Sequence, residues 1–118
     1  MKYITKYKSP NYNSRSKSKI KLIIIHYTAL RNTKEAITYL CTKEKKVSAH
    51  YLISQNGLIY NLVNEKFRAW HAGQSFWQDI VDINSFSIGI ELDYKPNGIN
   101  NKFSSKEIIT NNIIEYYF

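Results

Sequence analysis

Cysteine, glycine and arginine are all scarce in this chain, and each scarcity closes off a kind of chemistry. The single cysteine, Cys41, excludes an intramolecular disulfide framework and suits a reducing compartment. The four glycines, Gly57, Gly73, Gly89 and Gly98, stand far apart, so no glycine-rich loop is available to cradle a phosphate. The net charge of +8 would suit an anionic partner, but Arg15, Arg31 and Arg68 are the only arginines among 17 basic residues. Arginine is the side chain that grips phosphates and base edges in a bidentate fashion, and its rarity argues against nucleic acid. No apolar run approaches the roughly 20 residues of a spanning helix. The first 19 residues contain Ile4 as their one aliphatic side chain, which is no signal-peptide core, and a cytoplasmic location is the expectation.

What remains is the composition of one modest domain: 118 residues, 43% of them hydrophobic. Residues 1–19 are polar and basic, with a turn at Ser9-Pro10-Asn11, and read as an arm lying over the domain formed by residues 20–118. Within IKLIIIHYT, Leu22 to Ile25 are too few for an ordinary helix and rich in β-branched side chains, so they predict a central strand buried on both faces. His26 then stands at its carboxyl end, the edge where α/β sheets place their chemistry. Asn32 or Thr33 can cap a helix running to about Cys41, with Ala36, Ile37, Leu40 and Cys41 on one face; this makes Cys41 a small core residue before it makes it a nucleophile. Asn56-Gly57 predicts a hairpin between Val47–Ile53 and Leu58–Val63, and the register of its first strand decides where His50 points.

The second half holds the unusual residues. FRAWHAG at 67–73 reads as a pinned loop, and Trp70 and Trp77 serve either a binding groove or the core. Residues 78–86 read as irregular. SIGIEL at 87–92 predicts a second central strand carrying Glu91, a carboxylate that is costly in apolar surroundings unless it meets a cation, a metal or good donors. Ser104 and Glu107 have capping-box spacing ahead of Ile108, Ile109, Ile113 and Ile114, which predicts a final helix. The resulting fold class is α/β, with a small mixed central sheet and helices packed on it.

His26, His50 and His71 are all the histidines present. With Glu91 they could form a three-histidine zinc site in which the glutamate acts as general base on a bound water. No HExxH or Cys-x-x-Cys spacing supports that reading, so a binding module and a domain without decipherable chemistry stay open beside it.

Several blocks, taken in order, carry a resemblance: SPNYNSR at 9–15, IIIHYT at 23–28, KVSAHYLISQNGLIYNLV at 46–63, RAWHAGQSFW at 68–77 and INSFSIGIEL at 83–92. Together they resemble the zinc-dependent N-acetylmuramoyl-L-alanine amidases of the type-2 family, whose fold is shared with peptidoglycan recognition proteins. The resemblance implies a hydrolase of carbon–nitrogen bonds that cleaves the amide between N-acetylmuramic acid and L-alanine in peptidoglycan or muropeptides. It implies His26 as a zinc ligand and Glu91 as the catalytic glutamate, with His50, Trp70, His71 and Trp77 around the substrate cleft. It also implies that His50 and His71 are not metal ligands. In relatives a second histidine and an aspartate from a later segment complete the zinc site, and no histidine follows His71 here. The expectation is thus an amidase domain incomplete at its C-terminus, with one zinc ligand of its own and its activity dependent on the remainder or on a second chain. The alternative is a non-catalytic peptidoglycan-binding remnant using the Trp70, His71 and Trp77 cleft.

Overall fold

The computed structural model describes residues 3–94, 106–110 and 113–117. Among the described residues, eleven strands and one α-helix follow in chain order: β1 Tyr3–Ile4, β2 Tyr12–Ser14, β3 Leu22–Tyr27, α1 Thr33–Leu40, β4 Tyr51–Ile53, β5 Ile59–Asn61, β6 Phe67–Ala69, β7 Phe76–Trp77, β8 Ile80–Val81, β9 Ser87–Leu92, β10 Lys106–Thr110 and β11 Ile113–Tyr117. Seven of the strands form one mixed sheet in the order β1-β5-β4-β9-β3-β11-β10. Its centre is parallel: β3 and β4 flank β9, and His26, Glu91 and Leu52 lie side by side across the three strands. The hairpin of β4 and β5 is antiparallel, with the left-handed conformation at Gly57 (φ +84°) and not at Asn56. That is the chemistry of a hairpin loop closed by a glycine.

Period-2 geometry sends Leu22, Ile24 and His26 of β3 to one face together with Ser87, Gly89 and Glu91 of β9. Two apolar clusters cover that face. Leu22 and Ile24 pack with Ile83, joined by Ala72, Trp77 and Ile80. Leu52 and Leu62 pack beneath Ala36 and Leu40 of α1, joined by Leu30, Ile37, Cys41 and Val47. Cys41 thus has the core position expected of it, and burial raises its thiol pKa. The start of α1 is fixed by Asn32, whose side chain accepts from the Glu35 N–H at 2.9 Å.

Three expectations change. The strand around His26 is not buried on both faces: Ile23 is 41% exposed, because the helix and both clusters lie on the opposite side. Residues 78–86 are more ordered than irregular, with β7 pairing β8 and a 3₁₀ turn at Ile83–Phe86. The final helix is replaced by two strands: β10 pairs antiparallel with β11, and β11 pairs parallel with β3, placing Ile113 and Ile114 opposite Ile23 and Ile24. β-branched and aromatic residues dominate this stretch, and a free edge of β3 offers main-chain partners that a helix would forgo. Ser104, the expected cap, lies outside the described residues.

The first 19 residues also do more than cover the domain. β1 joins the main sheet beside β5, and β2 pairs with β6. Arg15, which follows β2, is buried and donates to the carbonyls of Glu65, Phe67, Asn84, Ser85 and Ser87 at 2.8–3.2 Å. One guanidinium thereby ties the β6 region to the turn that leads into β9, and burial without a bonded carboxylate lowers its pKa.

Candidate active site

His26 and Glu91 end up adjacent for a simple reason: β3 and β9 run parallel in a register that pairs them, and both point to the covered face. Both are buried. A cavity of about 300 Å³ is lined by Glu91 and His71 together with Tyr27, Leu30, Tyr39, Leu40 and Val47, and His26 stands behind its lining. The Oε2 atom of Glu91 is buried and has no hydrogen-bond partner among the described residues. Burial pushes the Glu91 carboxyl up to about 8. The same desolvation lowers His26 to about 4. An apolar wall around an unsatisfied carboxyl is an arrangement with a chemical use, since stability alone would favour a hydrophobic residue there.

His71 stands between the other histidines. Its Nδ1 lies 3.1 Å from His26 Nε2, and its Nε2 lies 2.9 Å from Ser87 Oγ. Asn84 holds the loop that carries it, accepting from the N–H groups of His71 and Ala72 and donating to the Ala72 carbonyl. Gly89 makes room for the ring, for a Cβ at that position would fall 2.2 Å from His71 Cγ. Burial holds His71 well below the ordinary imidazole pKa, and the neighbouring histidines add to the effect.

His50 is occupied differently. Its Nδ1 accepts from the Gly89 N–H at 3.0 Å, and its Nε2 donates to the Phe67 carbonyl at 2.8 Å. Burial lowers it to about 4 despite the opposing pull of that carbonyl. With both ring nitrogens bonded to backbone, His50 supports β9 from the β4 side and does not line the cavity. Trp70 is half-buried and donates from Nε1 to Asn13 Oδ1 at 3.0 Å, and Trp77 packs on the Leu22, Ile24 and Ile83 cluster. The cavity therefore gathers His71 and Glu91, while His26, His50, Trp70 and Trp77 stand outside its lining.

Arg15, Asn84, Ser87 and Gly89 belong to no catalytic motif of the sequence. Two of them left a signal: an arginine in a chain that otherwise uses lysine, and a lone glycine inside a strand, which marks close approach by another group.

No group of three histidine, cysteine or carboxylate side chains suited to a metal occurs among the described residues. His71 uses both ring nitrogens on His26 and Ser87, and His50 uses both on backbone. The described residues do not by themselves fit a zinc site.

A mixed sheet with a buried histidine and a buried carboxylate side by side on its central strands places two ionisable groups at one strand edge. Comparison with known proteins narrows this. The sequence profile described as N-acetylmuramoyl-L-alanine amidase matches residues 16–110, and the chain belongs to that family. N-acetylmuramoyl-L-alanine amidase AmiD of Escherichia coli K12 is 42% identical over a region covering 64% of this chain and 29% of AmiD. The 1,6-anhydro-N-acetylmuramyl-L-alanine amidase AmpD of Haemophilus influenzae is 52% identical over 42% of this chain and 27% of AmpD. The chain thus spans less than a third of the length of these curated relatives. Among solved structures, a Se-Met AmpD derivative superposes with a TM-score of 0.67 at 28% identity, covering 79% of this chain and 60% of that one. Escherichia coli AmiD, in complex with anhydro-N-acetylmuramic acid-L-Ala-D-γ-Glu-L-Lys, gives 0.58 at 36% identity, covering 76% of this chain and 35% of AmiD.

Proposed function

We propose that this chain carries the muramoyl-alanine end of an amidase site, acting on the amide between N-acetylmuramic acid and L-alanine in peptidoglycan or its fragments. The observation that carries the proposal is Glu91 lining a walled cavity with His26 beside it on the neighbouring strand, in a chain of this family. Muropeptide as the substrate class comes from the relatives, one of which is solved with an anhydromuramyl peptide bound.

Glu91 is the general base. With the carboxyl raised to about 8, the ionised fraction present near neutral pH takes a proton from an attacking water and then returns it to the leaving alanine nitrogen. The apolar walls keep bulk water from competing for that carboxyl. His26 is the one zinc ligand we assign among the described residues. The zinc affinity of this chain is accordingly expected to be weaker than about 1 μM, read by competition with a metal indicator; stoichiometric tighter binding would contradict the assignment. His71, Trp70 and Trp77 are proposed to flank the substrate, with His50 acting on the cleft from behind through Gly89.

The direct test is mass-spectrometric detection of the L-alanyl peptide released from a muramyl peptide, comparing the chain with Glu91→Gln. A fall of about 100-fold or more in the variant is expected, and an unchanged rate removes Glu91 from the role. One observation favours a second reading, in which the chain binds peptidoglycan without cutting it: the described residues lack a three-ligand set. Retention on insoluble peptidoglycan with no released product selects that reading.

A further inference from the structure

The hydrogen-bond geometry around His71 has a fixed polarity. The Ser87 hydroxyl lies 2.7 Å from the Ile83 carbonyl oxygen, which can only accept, so the one hydroxyl hydrogen is committed there. Ser87 Oγ can then only accept from His71 Nε2, 2.9 Å away, and His71 must carry its hydrogen on Nε2. In a neutral imidazole the other nitrogen is an acceptor, so His71 Nδ1 accepts from His26 Nε2 at 3.1 Å. An imidazole is ordinarily neutral at pH 7, which leaves one hydrogen on each ring. Each step is forced by the one before it, starting from a backbone carbonyl.

We propose that Ser87 and His71 are positioning residues that fix His26 as its Nε2–H tautomer, leaving the His26 lone pair on Nδ1. The frame is rigid. The His71 ring rests against the Cα of Gly89, where any Cβ would collide with it, and Asn84 pins the His71 backbone. Ser87 is held in turn through its own carbonyl, which accepts from Arg15 Nη1 at 3.0 Å. The sequence separates these residues widely, and neither HAG nor SIG is a motif for tautomer control. The relay deepens the amidase reading, because it matters to function only if His26 acts there, but the tautomer itself follows from geometry.

The test is long-range ¹H–¹⁵N correlation of histidine ring nitrogens in the ¹⁵N-histidine-labelled chain at pH 7. His26, assigned by loss of its signals in His26→Gln, is expected to show a protonated Nε2 and an unprotonated Nδ1. In Ser87→Ala, where His71 Nε2 loses its acceptor, the single His26 pattern should give way to a mixture of tautomers. In His71→Gln, whose side-chain oxygen still accepts, the Nε2–H pattern should persist. A wild-type His26 protonated on Nδ1 overturns the proposal outright, as does a folded Ser87→Ala chain with an unchanged pattern. If Ser87→Ala fails to fold, the wild-type and His71→Gln spectra decide it, with loss of the pattern in a folded His71→Gln counting against the relay. None of these readouts requires catalysis, so failure of the relay is distinguishable from failure of the amidase reading.

Discussion

Gly89 shows how closely single residues control this site. Its missing side chain is the space in which the His71 ring sits, while its N–H and C=O both bond to His50. Gly89→Ala puts a carbon where no contact is tolerable, with β9 backbone on one side and a pinned loop on the other. The expected cost is about 2–4 kcal/mol of stability, read from denaturant unfolding, and a variant within 0.5 kcal/mol of wild type would mean that His71 swings away freely. Glu91 and His26 were legible in the sequence because a carboxylate in an apolar strand and a histidine at a strand end are both locally odd. Ser87, Asn84 and Arg15 were not, since each acts through partners 4–72 residues away that only the folded chain brings near.

At the scale of elements, α1 supplies much of the cavity wall through Tyr39 and Leu40, so its placement shapes the site. Two contacts set where it begins: the Asn32 cap and a hydrogen bond from Thr33 Oγ1 to Asp93 Oδ2, just beyond β9. Asn32→Ala is expected to cost about 1 kcal/mol in urea unfolding, with no change in the β-sheet signal in far-ultraviolet circular dichroism; an effect below 0.2 kcal/mol would show that Asp93 alone anchors the helix. The helix, the hairpin and both central strands could be read from apolar periodicity and from the Asn-Gly turn. The stretch after residue 104 could not. Its isoleucines sit at spacings compatible with a helix, but their β-branching and the open edge of β3 favour strands, and nothing local announces that an edge is available.

For the whole molecule, the buried titratable groups pull stability in opposite directions with pH. His26 and His50, lowered by burial from 6.5 to about 4, contribute stability that is full above pH 6.5 and lost as pH falls through 4, because the unfolded chain takes up protons that the folded chain refuses. Glu91, raised by burial from 4.5 to about 8, contributes stability that is full below 4.5 and lost as pH rises through 8. Three histidines, His71 among them, outweigh one glutamate below 6.5, and the glutamate acts alone above it. The urea midpoint should therefore peak near pH 6.5 and then decline by on the order of 2 kcal/mol of stability toward pH 8. Glu91→Gln should abolish that decline while keeping the loss on the acid side. A wild-type profile flat from 6.5 to 8 would show that Glu91 is not held protonated. Such a cost is the expected mark of a carboxyl retained for chemistry.

The central claim is that Glu91, set beside His26 by the register of two parallel strands, works on muramoyl-L-alanine amides. Its most direct test is the release of L-alanyl peptide from a muramyl peptide by the zinc-supplemented chain, measured by mass spectrometry alongside Glu91→Gln. The account predicts release by the wild type that falls about 100-fold or more in the variant. Equal release by both, or cleavage at any other bond, would contradict it.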